Sequence, residues 1–114
     1  MSIESNIVYL KEEIKNHQER LQLMEKYLKD YPAISVYKRK ISGNIYYYKK
    51  FWKNGKSISK FLCRNENEYH REIKKIEAAN KKRQIIKKQL QGNKNAIKAL
   101  KKQLQIAEKA FKNV

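Results

Sequence analysis

Apolar residues near the start of the chain recur at alternating spacings of four and three: Ile3, Ile7, Leu10, Ile14, Leu21, Met24, Leu28 and Tyr31, with His17 at one seam position. This is the heptad seam of a helix packed along one face, and it predicts a helix over residues 1–31. Ser2 is placed to cap its first turn, and Pro32 ends it by pushing the preceding residue out of the α region. Glu12, Glu13, Glu19 and Glu25 fall among Lys11, Lys15, Arg20, Lys26 and Lys29 on the remaining surface, a mixed-sign solvated face. A seam this narrow needs a partner helix, from the same chain or from a second copy.

Beyond Pro32 the period becomes two. Residues 34–41, 45–53 and 56–63 are rich in Ile, Val, Tyr, Phe and Trp, and Gly43-Asn44 and Asn54-Gly55 separate them. Such turns between β-rich runs predict two hairpins, hence a three-stranded antiparallel meander over 34–63. With both turns read as two-residue loops, Lys38, Lys49 and Lys60 form one row across a single face. Like charges directly opposite one another destabilise a sheet, so this face is expected to be exposed. The other face, with Trp52, Tyr48, Phe61 and Tyr46, is then expected to pack on the helices. A three-residue first loop would shift the first strand and undo the lysine row.

Helical periodicity returns over 66–113, where Asn65 and Glu68 are spaced as a capping box. Tyr69, Ile73, Ile76, Ala79, Arg83, Ile86, Leu90, Asn93, Ile97, Leu100, Leu104, Ala107 and Phe111 mark one face. Gly92-Asn93 interrupts the run as a helix end would, yet the apolar phase continues from Leu90 to Ile97. Two readings stand: one long helix, kinked or straight, and two antiparallel helices. The expected fold class is α+β, mostly helical, with two long antiparallel coiled-coil-like helices flanking the meander. Residues 1–114 are read as a single elongated domain.

Charge changes the picture. Lys and Arg number 28 against 11 Asp and Glu, a formal net charge of +17. The excess is uneven: residues 1–31 carry a net −1, residues 32–64 carry nine basic and no acidic side chains, and residues 65–114 carry a net +9. Rich in Lys, Ile, Asn and Tyr, the chain reads like the product of an AT-rich genome, a bias that raises Lys without functional cause. The codons of Glu are equally A-rich, so the acid-free stretches need another reason. Such a chain attracts polyanions.

Chemistry of other kinds has little raw material. There is one Asp (Asp30), two His (His17 and His70), one Cys (Cys63) and three Gly, too few for a catalytic triad, a metal cluster or a phosphate-cradling loop. No catalytic residue, metal or cofactor is expected, and the chain is read as a non-enzyme. His17 at a seam position is expected to set register, with a pH-sensitive contact as the alternative. His70 reads as a solvated helix residue, and Cys63 as a small strand residue with a redox role as the alternative. No apolar run reaches the roughly 18 residues of a spanning helix, no signal peptide is expected, and the lone cysteine suits a reducing cytoplasm.

The basic segments therefore carry the functional expectation, nucleic-acid binding. The meander supplies Lys38, Arg39, Lys40, Lys49, Lys50, Lys53, Lys56 and Lys60, interleaved with Tyr47, Phe51 and Trp52. The second helix supplies Lys74, Lys75, Lys81, Lys82, Arg83, Lys87 and Lys88. A narrow sheet fits a major groove, and exposed aromatics stack on unpaired bases. Lys outnumbers Arg 23 to 5, which favours phosphate and shape recognition over bidentate base reading. DNA and RNA both remain open.

The run from Ile45 through Tyr46, Tyr47, Tyr48, Lys49, Lys50, Phe51, Trp52, Lys53, Asn54, Gly55, Lys56, Ser57, Ile58, Ser59 and Lys60 to Phe61 resembles the three-stranded sheets of phage and transposon integrase arm-binding domains. The resemblance implies DNA contacts from Lys49, Lys50, Lys56 and Lys60, and it does not extend to the long flanking helices. The helix–meander–helix layout is also similar to short uncharacterised proteins of low-GC Gram-positive bacteria and their phages, which implies a phage or mobile-element origin. Two further readings follow. One is an anti-CRISPR-like inhibitor of a host defence nuclease acting through its guide RNA or an acidic protein surface. The other is a structural coiled coil, a homodimer through the helix seams. An anionic membrane is not an expected partner, since neither basic segment has the broad apolar face that role requires.

Overall fold

The computed structural model describes residues 2–113. Helix α1 (Ile3–Asp30) is followed by strands β1 (Ser35–Ile41), β2 (Asn44–Lys53) and β3 (Lys56–Cys63), and then by helix α2 (Glu66–Lys112). The strands form one antiparallel sheet in the order β1-β2-β3. The α+β, mostly helical class expected from the periodicities is the one observed. The chain divides into two compact units, one formed by residues up to Tyr27 together with Lys87 onward, the other by Leu28–Ile86.

Both helices start where the sequence places their caps. Ser2 Oγ accepts from Ser5 N at 3.1 Å, and the Ser2 carbonyl accepts from Asn6 N at 3.0 Å. Asn65 Oδ1 accepts from Asn67 N at 2.7 Å, and its carbonyl from Tyr69 N at 2.9 Å. Each side chain thereby satisfies one of the amide donors that a helix start leaves free.

In the first unit the two helical segments run antiparallel: Ile3 borders a hollow with Ile106, Ala107 and Ala110, while His17 meets Asn93. Leu10, Ile14 and Ile97 are its buried apolar residues. Asn93 is buried among them, and both ends of its amide are used. Nδ2 donates to the His17 carbonyl at 2.6 Å, which fixes the amide's orientation, so the Nδ1–H of His17 must donate to Oδ1, also at 2.6 Å. One polar pair in an apolar seam sets register, because any slip strands both groups without partners. It also explains why α2 is unbroken at Gly92-Asn93: Asn93 is turned inward and bonded rather than serving as a left-handed cap.

In the second unit α2 holds the segment that leads from α1 into the sheet. Arg83 Nη1 donates to the carbonyls of Leu28 (2.6 Å) and Tyr31 (2.8 Å), satisfying acceptors that the end of α1 leaves open and placing a cation at the negative end of its dipole. Asn80 brackets Ile34 as a strand neighbour would: Oδ1 accepts from Ile34 N at 3.0 Å and Nδ2 donates to Ile34 O at 2.8 Å. The buried residues of this unit are Tyr47, Cys63 and Ile76.

The sheet departs from the expected register in two places. The first turn is Ser42-Gly43, with φ of 51° and 83°, not Gly43-Asn44. It matches the second turn, Asn54-Gly55, with φ of 54° and 74°. Both central residues of this turn type are left-handed, and glycine takes the second position in each. Asn44 joins β2 opposite Ile41, so β1 slides by two residues: Lys38 pairs with Tyr47, and Val36 with Lys49. Lys49 stays opposite Lys60, but the three-lysine row is gone. The second departure is a bulge: Tyr48 pairs with Phe61 and Tyr47 with Cys63, leaving Leu62 as the extra residue. Cys63 thereby joins Tyr47 on one face.

The expected choice of face is therefore reversed. The side bearing Val36, Tyr47, Lys49, Phe51, Ile58 and Cys63 packs on the helix, with Tyr47 stacked on Tyr69 at 4.2 Å between centroids. Trp52 and Phe61, expected in the core, are 64% and 52% exposed, and Tyr37 on the same face is 37% exposed. The reason is electrostatic and steric. With the row dispersed, Lys38 and Lys60 sit on edge strands with their ammonium groups 5.9 Å from the ring centroids of Tyr47 and Phe51. Their stems cover apolar surface while their heads reach water.

Gly92 lies in the interior of α2 with no atom within 4 Å of where a Cβ would be. Gly92→Ala is expected to stabilise the protein by about 1 kcal/mol through lower backbone entropy in the unfolded chain, read as a higher midpoint in thermal or urea unfolding followed by circular dichroism.

Candidate nucleic-acid interface

Strand alternation sorts the side chains of the sheet onto two faces. On the face away from the Tyr47–Tyr69 contact, successive cross-strand sets are Trp52 with Ser57, then Ser35 with Lys50 and Ser59, then Tyr37 with Tyr48 and Phe61, then Arg39 with Tyr46. Arg64, just beyond β3, lies over the Tyr46 ring at 5.3 Å. An aromatic row thus crosses all three strands, with Lys50 on one side and Arg39 and Arg64 on the other.

The rings of this row support one another. Tyr37 and Tyr48 stack at 5.5 Å with 15° between planes. Phe61 stands edge-on to Tyr48 at 5.9 Å and to Tyr46 at 6.4 Å. Such packing holds the rings in place without burying them. Beside Trp52 an open hollow of ≈ 390 Å³ is bordered by Ala33, Ile34, Ser35, Lys50, Phe51 and Trp52.

The sheet itself contributes only positive charge to this face, since residues 32–64 contain no carboxylate. Glu68 and Glu72 of α2 act on the packed face, at Cys63. Burial pushes the Cys63 thiol pKa up, and the charges of Glu68 and Glu72 push it further the same way. A raised folded-state pKa favours folding below the unfolded value, and that contribution is lost as pH rises through the folded one. The thiol is 3% exposed and protonated at neutral pH, which makes it a packing residue rather than a nucleophile.

The structure separates the basic residues singled out in the sequence. Arg39 and Lys50 are exposed on the open face. Lys38, Lys40, Lys49, Lys53, Lys56 and Lys60 alternate onto the other face, where Lys49 is half-buried and the rest are exposed. Tyr47, expected to meet a ligand, is buried against Tyr69, and Phe51 is half-buried on the same side. Lys74, Lys75, Lys81 and Lys82 are exposed on the helix of the sheet's own unit, and Lys75 approaches Glu72 at 3.4 Å. Lys87 and Lys88 are exposed in the other unit. Arg83 is half-buried and bonded to two carbonyls, which makes it a cap rather than a ligand group. His70 is exposed, 3.9 Å from Glu66.

Tyr37, Tyr46, Tyr48, Phe61 and Arg64 were not among the sequence candidates. Placing glycine second in the first turn, as it stands in Asn54-Gly55, gives the observed β1 register. The bulge at Leu62 has no comparable mark in the sequence. Among the described residues no cluster of three or more His, Cys, Asp or Glu is placed to hold a metal ion, and no helix is long and apolar enough to cross a membrane. No family model, curated protein or solved structure matches the chain.

Two outcomes are expected from these placements. Arg83→Gln should destabilise the protein by about 1–3 kcal/mol, the cost of unpaired carbonyls, in urea unfolding. Iodoacetamide at pH 8 should modify Cys63 at least about tenfold more slowly than free cysteine, with full reactivity restored in denaturant.

Proposed function

We propose that this chain is a small nucleic-acid-binding protein that takes its ligand on the open face of the β1–β3 sheet. The observation that carries the reading is the aromatic row Tyr37–Tyr48–Phe61 set between Lys50 and the Arg39–Arg64 pair on a sheet segment without carboxylates. Phosphates are bound by clustered cations, and each contact releases condensed counterions. Bases offer flat apolar faces to aromatic rings. The hydroxyls of Ser57 and Ser59 on the same face supply small donors to phosphate or sugar oxygens, while that of Ser35 donates to the Lys50 carbonyl at 3.3 Å. Of the four lysines that the integrase resemblance implicates, Lys50 lies on this face, while Lys49, Lys56 and Lys60 lie on the other. The part of that resemblance relevant to the proposed surface is thus narrow. An origin in a phage or mobile element fits the same reading, as an accessory protein acting on nucleic acid.

The test uses a labelled 20-nucleotide single strand and the matching duplex, followed by fluorescence anisotropy at about 50 and 200 mM salt. For the form bound, Arg39→Gln/Lys50→Gln is expected to weaken binding at least about tenfold and to lower the slope of log K against log salt by about 1.4 for a single strand or about 1.8 for the duplex. Lys74→Gln/Lys81→Gln removes the same charge from the helix and is expected to have a much smaller effect. Equal losses from both pairs would make the affinity a consequence of net charge and sink the proposed site.

A further inference from the structure

We infer that the nucleic acid bound on this face is single-stranded, its bases stacked on the Tyr37–Tyr48–Phe61 row and on Trp52; the inference rests on the nucleic-acid reading above. In a duplex the base faces are already covered by their neighbours, and a protein meets only base edges and phosphates. The open face offers the opposite complement. Its exposed groups are ring surfaces, with Trp52 and Phe61 more than half exposed, and its cations flank those rings. An unpaired strand presents matching groups, flat apolar bases joined by phosphates.

The spacing fits this ligand. Trp52 and Tyr48 are four residues apart on β2, about 13 Å along the strand, and Lys50 lies midway between them on the same face. Bases resting on the two rings place the intervening sugar–phosphate link over the Lys50 ammonium. The hollow beside Trp52, with Ser35 and Lys50 on its rim, gives one base a bounded seat at the end of the row. Arg39 and Arg64 serve the other end. The rings are already packed against one another, so little side-chain freedom is lost when a base settles on them. A lysine point charge and an aromatic face distinguish one base from another weakly, so binding should tolerate many sequences.

Trp52 is the only tryptophan, so its fluorescence reports on this face directly. Oligo-dT and oligo-U of 15 nucleotides, a 15-base-pair dA·dT duplex, and vesicles of phosphatidylserine and phosphatidylcholine are titrated into the full-length protein at about 200 mM salt. The single strands are expected to quench Trp52 and to bind at least about tenfold more tightly than the duplex. Tyr37→Leu and Phe61→Leu keep apolar volume and remove the ring; each is expected to weaken single-strand binding by roughly 5- to 150-fold while leaving duplex binding within about twofold. Quenching in the unmodified protein tests the idea independently of how the variants fold. Duplex bound as tightly as single strand, or both ring variants binding single strand normally, overturns the inference and leaves nucleic-acid binding standing. Binding to neither form overturns both. A Trp52 signal that answers only to vesicles, or only to protein concentration, assigns the face to lipid or to a second copy and overturns both as well.

Discussion

Positive φ at two successive residues, Ser42 and Gly43, is the constraint from which the arrangement of the sheet follows. A two-residue turn of this hand matches the twist of the strands it joins, and its placement fixes which residue of β1 faces which residue of β2. With the turn at these residues Lys38 meets Tyr47 instead of Lys49. A row of three ammonium groups would have kept that face in water. Broken up, it becomes a face that a helix can cover, with edge lysines extending their stems over Tyr47 and Phe51. The other face is left uncovered, and it carries the aromatic row.

The covered face is held by few contacts of high specificity. Tyr47 on Tyr69 supplies the apolar anchor. Asn80 and Arg83, one helical turn apart, fasten the backbone on either side of Pro32 at Leu28, Tyr31 and Ile34. These bonds satisfy carbonyls that the end of a helix leaves open, and in partly buried surroundings an unsatisfied group costs more than a bond contributes. In the helical pair the same logic operates through His17 and Asn93, where one buried amide is bonded at both its oxygen and its nitrogen. Each unit thus combines a small apolar centre with one polar bracket that admits a single alignment.

Periodicity made the elements legible. The four-three spacing from Ile3 to Tyr31, the caps at Ser2 and Asn65, the stop at Pro32 and the period-two runs place all five elements, because each reflects local backbone physics. Asn93 shows why the continuous reading of α2 prevailed: its position in the apolar phase outweighed its resemblance to a cap. The faces of the sheet were harder to read, since they depend on register. A two-residue shift between β1 and β2 keeps every side chain on its face and changes only its neighbours, yet it altered which face could be buried. The bulge at Leu62 moved Cys63 across the sheet without any glycine or proline to mark it. Arg83 was counted as a phosphate ligand on charge alone; its partners are backbone carbonyls 52 and 55 residues away in the chain, which composition cannot show.

The open face is expensive in water. Full burial of a large apolar side chain is worth on the order of 1.5–3 kcal/mol, and Trp52, Phe61 and Tyr37 forgo part of that. Stacking within the row recovers some of it for Tyr37, Tyr48 and Phe61; no ring contact of this kind involves Trp52 among those described. Solubility alone would favour polar side chains at these positions, and a protein partner of ordinary composition would favour some carboxylates among the nine cations of residues 32–64. The proposed ligand, flat apolar groups strung on a polyanion, answers both features at once. Exposed rings and unopposed cations thus become two halves of one complementarity, and it is their alternation along β2, Trp52, Lys50 and Tyr48 in turn, that gives the surface its direction.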